Sequence, residues 1–345
     1  MTGQIIRNTI IPFLFSRIPD FVLDKLTQTD IFIPYYHMVS DSEHLHVKHL
    51  YSYKNIRQFT HDLDFLMRRY SPVSLFEFLD FIKTGKSLPR KPLLLTFDDG
   101  FREINDTIAP ILVKKGFPAL FFVNSAFVDN KDLCYQHKVS ILIEHLEEAG
   151  SIELGEKLGQ ILSDNKIKFS DIKAGLLSMT YLDKGIIDEV AEVMEVDFDG
   201  YLLKNRPYLT SDEIKSLIED GFAIGAHSMD HPLYALLTLE DQLDQTIEST
   251  RLIREMFSLT YGAFAFPNSD YGVSQDFFAE LDKSGLVDVS FGNRGMTNNM
   301  LSKTFQRLSM EKPLISAERI IALQLARRGW KLLKGTNKMV RKLGD

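Results

Sequence analysis

The chain has 345 residues, 44% hydrophobic, 25% charged and 11% aromatic, which excludes a disordered chain and provides for a large core. A net charge of −7 excludes a general nucleic-acid binder, because binding to phosphate relies on an excess of Lys and Arg. Cys134 is the single cysteine, so an intrachain disulfide and a cysteine-rich zinc site are excluded as well, and any metal must be held by His and carboxylates.

Residues 1–30 contain an apolar run at 10–15, but Pro12 breaks it and Arg7 and Arg17 flank it. It reads as a short N-terminal helical segment, neither a secretory signal nor a membrane span, and predicts a cytoplasmic protein. From residue 31 onward, strand-like runs recur at 31–36, 93–97, 119–124, 222–226, 263–266 and 287–291. Helical patterns such as 55–69, 105–115 and 239–257 lie between them. This alternation predicts β/α units and a mainly parallel sheet, in which ligands bind at the carboxyl ends of the strands.

The first run is followed by His37, within IFIPYYHMVSD. A histidine there is either a proton donor near neutral pH or one satisfied by a core hydrogen bond. His44, His46 and His49 follow in a polar loop and read as surface residues. The run 93–97 ends in Asp98, Asp99 and Gly100. Asp-Asp-Gly suits a turn or a helix N-cap, yet two adjacent carboxylates repel each other at the end of a buried strand, which folding alone does not require.

From about residue 134 to 205 the helix period persists without a convincing strand, so this segment reads as a helical insertion in a domain spanning 31–310. After the run 222–226 come His227 and His231. On a helical turn that spacing brings two imidazoles to one face. Two imidazoles and one carboxylate make a three-ligand site with open positions, the arrangement of catalytic zinc, although non-haem iron accepts the same set. One aspartate then suffices as ligand, and its neighbour is free to act as general base.

The stretches LTFDDGFRE and IGAHSMDH resemble the first and second motifs of the polysaccharide deacetylase family (NodB homology, carbohydrate esterase family four). AFAFPNSDYG resembles the third in part, without its arginine. The resemblance implies a distorted (β/α) barrel and metal-dependent hydrolysis of an N-acetyl group from an amino sugar. It makes Asp98 the base, Asp99, His227 and His231 the metal ligands with Zn2+ the default ion, and Pro267–Asn268 the oxyanion segment through the Asn268 N–H. No histidine follows the third motif, where the family usually carries its acid. His37 resembles the early Tyr-His motif of the biofilm-type branch, which deacetylates poly-N-acetylglucosamine, and takes that role. Arg102 and Arg307 are the candidates to replace the missing arginine.

The implied partner is an N-acetylated glycan or a lipid-linked amino sugar. A de-O-acetylase, or a glycan-binding protein that has lost turnover, are the alternatives. Residues 311–345 end the chain with Arg327, Arg328, Lys331, Lys334, Lys338, Arg341 and Lys342 against Asp345, while Ala326, Trp330, Leu333 and Val340 recur near helix spacing. Such a basic amphipathic helix is either a terminal helix packed on the barrel or an element that holds the chain peripherally at the inner membrane face.

Overall fold

The structure, a computed structural model, describes residues 31–297, 301–333, 335, 336, 339 and 341. The segment 1–30 read as helical, and Lys334, Lys338, Val340, Lys342 and Asp345 of the basic tail, lie outside the described residues.

The strands are short, and β1 and β3–β8 are buried throughout: β1 (Pro34–Tyr36), β2 (Ser71–Pro72), β3 (Pro92–Leu93), β4 (Leu95–Phe97), β5 (Ala119–Val123), β6 (Ala223–Ala226), β7 (Ala263–Ala265), β8 (Val289–Gly292), β9 (Thr304–Gln306) and β10 (Leu308–Ser309). Eight of them form one sheet in the order β10-β1-β4-β5-β6-β7-β8-β9, every pairing parallel, while β2 and β3 pair separately. β9 pairs with β8 and β10 with β1, yet only Arg307 separates β9 from β10. The run 304–309 therefore spans the gap between the first and last strands and closes the parallel sheet that the sequence pattern predicts into the barrel that the family resemblance implies.

Alternation along the strands divides the core. In β5, Ala119, Phe121 and Val123 pack toward the flanking helices, and Leu120 and Phe122 pack on the other face with Phe291 and Ala263. Phe78 of the helix Leu75–Thr84 joins this second group, its ring centroid 4.8 Å from that of Phe305 and 6.3 Å from that of Phe291. Period-two burial of this kind fixes which residues point inward, because a one-residue slip would reverse every side chain.

The insertion is helical throughout, with helices Tyr135–Ala149, Ile152–Asp164, Ile172–Ser178, Lys184–Val193 and Phe198–Asn205. It has a core of its own, in which Ile141, Leu158, Leu162, Ile187 and Val190 are fully buried. Met38 and Val47, after β1, and Phe101, after β4, belong to the same cluster, so the insertion is fastened to the segments that follow the site-bearing strands.

The last helix, Ala317–Leu333, buries Ala317, Ile320, Ile321 and Leu325 in the main core, against the side reached by the helix Ile56–Arg69. Its apolar stripe is thus used by the barrel along most of its length. Trp330 and Leu332, each 39% exposed, lie in the final turn. No helix among the described residues is long and apolar enough to cross a membrane.

Candidate active site

β4 delivers the two aspartates. The Asp98 N–H still donates to the Tyr36 carbonyl at 3.0 Å, so Asp98 continues the sheet and projects from its end. Asp99 turns away with φ of 70° and Gly100 follows at 66°. A Cβ on Gly100 would come within 2.9 Å of Val123 Cγ1, so both the backbone angle and the close approach require glycine there. The tight turn sends the adjacent carboxylates to different partners.

Asp98 is gripped by Arg307, which is fully buried: Nη1 donates to Oδ1 at 2.6 Å and Nη2 to Oδ2 at 2.7 Å. The guanidinium also stacks over the rings of Tyr35 and Phe122, 4.7 and 5.2 Å from their centroids. Burial works against the Asp98 charge, but Arg307 and then His227 outweigh it and hold its carboxyl below the usual carboxylate range. Arg102 instead pairs with Asp106 at 3.1 Å and so is not the cation for Asp98.

Asp99 faces the histidines. Its Oδ1 lies 3.4 Å from His227 Nε2 and 3.3 Å from His231 Nε2, is buried, and has no formed hydrogen bond. These three atoms all lie within 4.8 Å of one another. Ligands about 2.0–2.1 Å from one tetrahedral ion would stand roughly 3.4 Å apart, so the spacing and the donor set fit a divalent metal such as zinc. His227 Nδ1 donates to the Ala265 carbonyl at 2.8 Å, which directs the lone pair of Nε2 at the cluster. Burial opposes a charge on His231, but the Asp99 carboxylate raises its pKa well above the ordinary imidazole value, so an incoming cation must displace a proton.

The two histidines do not converge on a helical turn, contrary to the expectation from their spacing. Residues 227–231 form a loop in which Ser228 and His231 take positive φ of 68° and 64°. The His231 N–H donates to Ser228 Oγ at 3.0 Å, and the Asn124 amide donates to the His227 carbonyl. Two left-handed residues shorten the path as a helix would, but they aim the side chains differently.

His37 stands at the end of β1. Glu311 Oε1 accepts from the His37 N–H at 2.6 Å and from the Met38 N–H at 3.1 Å, and Oε2 engages His37 Nδ1. Nε2 is left as the nitrogen available to a ligand. Burial lowers the His37 pKa, but Glu311 and Asp99 overcome it and carry it up to about 9. The ring is therefore a cationic donor at neutral pH.

His37, Asp98, Asp99, His231, Asn268 and Glu311 all line one cavity of about 880 Å³. Asn268 is exposed there with φ of 55°, its carbonyl held by the Asn293 amide, and Pro267 is buried behind it. Gln136, His137 and Leu177 of the insertion line the same cavity, so the insertion shapes the site as well as covering the rim. The reading of His44, His46 and His49 as surface residues is corrected. His46 is 2% exposed with Nδ1 on the Tyr201 hydroxyl, His49 meets Glu144 at 2.8 Å, and His44 lies 2.9 Å from Ser40 Oγ. The insertion supplies Tyr201 and Glu144, which is why a loop that looks polar in sequence is packed.

Glu311 was not legible beforehand, and Arg307 was one of two candidates. The signal that separates them is the run TFQRLSM at 304–310, where Phe305, Leu308 and Met310 mark a strand with an arginine in its middle. A charge in a strand of a closed barrel needs a buried partner.

A family model described as Polysaccharide deacetylase matches residues 85–158 and 180–287. The poly-beta-1,6-N-acetyl-D-glucosamine N-deacetylase of Escherichia coli (strain K12) is 37% identical over 60 residues, 17% of this chain and 9% of that protein's length. Among solved structures, the Streptococcus pyogenes deacetylase PplD in complex with acetate superposes with a TM-score of 0.55 at 13% identity, over 85% of this chain and 97% of that one. IcaB from Ammonifex degensii gives 0.50 at 17% identity, over 87% and 96%. At these identities the structural likeness is one of fold.

Proposed function

This chain belongs to the polysaccharide deacetylase family, and from that premise we propose that it hydrolyses the acetamide of an N-acetylated amino-sugar glycan. The observation that carries the reading is a single cavity with a carboxylate held charged by Arg307 on one side and a cationic histidine held by Glu311 on the other. Asp98 takes a proton from water, whose oxygen attacks the acetyl carbon, each Asp98 oxygen retaining a lone pair beyond those given to Arg307. His37 Nε2 gives its proton to the sugar nitrogen as the C–N bond breaks, leaving acetate and a free amine. The Asn268 N–H, on a residue that lines the same cavity, is the donor assigned to the acetyl oxygen. Asp99, His227 and His231 would hold a divalent ion, with Zn2+ the default, which supplies Lewis acidity toward water and the acyl oxygen when bound.

The case for a glycan binder without turnover rests on the missing arginine and the missing late histidine. Arg307 and the His37–Glu311 pair give both a counterpart, so the hydrolase is favoured. Ester hydrolysis needs the same groups and makes a de-O-acetylase the same chemistry on another acyl link. An iron oxygenase has no use for an arginine-clamped second carboxylate. Poly-N-acetylglucosamine is the first substrate to try, since the curated relative carries that name. Acetate release from that polymer, from soluble oligosaccharides and from lipid-linked amino sugars, with metal analysis of the same preparations, tests the proposal; no acetate from any of them would overturn it.

A position at the cytoplasmic membrane face is the second element of the proposal. It is supported by the exposed Trp330, Lys331 and Leu332 on the last turn of the terminal helix. An amphipathic aromatic ring beside a cationic side chain suits an anionic lipid surface.

A further inference from the structure

The chain between the helices Leu45–Lys48 and Ile56–Arg69 brings Tyr51 to the wall of the cavity that holds His37, Asp98 and Asp99. Its ring centroid is 5.4 Å from that of His37. The Tyr51 hydroxyl is buried and has no hydrogen-bond partner within the protein. A buried O–H without an acceptor gives up its bonds to water and gains nothing, whereas phenylalanine would fill the same space without that loss. Packing therefore accounts for the ring and leaves the hydroxyl unexplained.

The hydroxyl is also fixed in place. Ser140 Oγ, from the insertion, donates to the Leu45 carbonyl at 2.6 Å and accepts from the His49 N–H at 3.1 Å. Glu144 takes Lys48 at 2.7 Å and His49 at 2.8 Å. This brace holds the segment two residues before Tyr51, so the O–H is a preorganised donor and not one that must be ordered at each turnover. Burial first, and then the negative charges of Asp99 and Glu311, keep its pKa well above the ordinary phenol value, so it donates and does not ionise. Tyr51 lines the same cavity as Asp98, Asp99 and His231, where the acetyl group must lie for Asp98 to act.

We propose that Tyr51 is a catalytic residue whose hydroxyl donates a hydrogen bond to the acetyl oxygen as that oxygen gains negative charge. The assignment rests on the deacetylase reading above and adds a side-chain donor to the Asn268 N–H. The phenol keeps its proton throughout, so the bonds made and broken are those already given.

Tyr51→Phe and the wild-type chain are compared on the soluble N-acetylated oligosaccharide that the wild type turns over fastest. The variant loses about a hundredfold in kcat, the scale for removal of one oxyanion donor, with KM changed less than about threefold. Its metal content is that of the wild type and its Tm is equal or higher, because no bond in the folded protein is lost. A kcat within about threefold of wild type overturns the assignment, as does a loss confined to KM, which marks a ground-state contact. A Tm lower by more than about 5 °C also overturns it, by giving the hydroxyl a structural partner. Those three outcomes leave the deacetylase reading standing. A wild-type chain that releases no acetate from any substrate overturns that reading and the Tyr51 assignment together.

Discussion

Arg307 and Asp98 stand 209 residues apart in sequence and share two hydrogen bonds, of 2.6 and 2.7 Å, inside the barrel. The fork is possible because Arg307 is the residue at which the closing strand passes from β8 to β1. Its N–H donates to the Gly292 carbonyl of β8, and the next residue, Leu308, donates to Ile33 on the opposite side. One ion pair thus joins barrel closure to the charge state of the proposed base.

Removing the arginine should therefore cost both stability and activity. Arg307→Ala leaves a buried carboxylate unpaired, for which a loss of about 3–5 kcal/mol is expected by urea unfolding. Arg307→Lys keeps the charge but not the two parallel bonds and should fall between the two. Wild-type unfolding and turnover in Arg307→Ala would deny the pair either role.

Asp98→Asn should retain the metal and lose hydrolysis by about 10²–10⁴-fold, since the amide keeps the shape but cannot accept the proton. Metal content by elemental analysis and acetate release, measured on one preparation, check the two halves separately. Wild-type turnover in this variant would remove Asp98 from the mechanism.

Asp99→Ala, His227→Ala and His231→Ala should each lower metal content. Because the Asp99 carboxylate raises the His231 pKa well above its ordinary value, protons compete with the cation and metal affinity in the intact chain should weaken as pH falls. Equal occupancy in all three variants would show that the ion, if any, is bound elsewhere.

His37 carries a pKa raised to about 9. As the proton donor it is active below that value, so kcat should fall as pH rises through about 9. Glu311→Gln removes the largest influence that raises it, and should move this alkaline limb down by about one to three pH units. His37→Ala should harm an amide substrate more than an ester, whose better leaving group needs less help. An unmoved limb in Glu311→Gln, or equal losses on amide and ester, would make the His37–Glu311 pair structural.

For the terminal helix, truncation is a poor probe because Ile320, Ile321 and Leu325 belong to the main core. Substituting Trp330→Glu together with Leu332→Glu changes two partly exposed side chains of the final turn and leaves those core residues in place. Co-sedimentation with anionic vesicles at low salt should decrease in the double variant, and salt should weaken that of the intact chain. Identical sedimentation at low salt would leave a helix whose work is packing.

The local chemistry of this protein is legible in short stretches of its chain: a strand ending in Asp98, Asp99 and Gly100, a second followed by His227 with His231 close behind, and a helical insertion between them. Each is written in a few consecutive residues, as hydrophobic period, turn chemistry or ligand type, and such signals survive without knowledge of what lies across the molecule. Tertiary structure alone decided that Arg307, and not Arg102, meets Asp98, that Glu311 holds His37, and that Tyr51 reaches the same cavity. It also decided that His227 and His231 converge through a left-handed loop instead of a helical turn. These facts depend on which strand closes the barrel and on which helix braces the loop that ends in Tyr51. Both are set by burial of side chains far apart in the chain, where no local spacing records the contact.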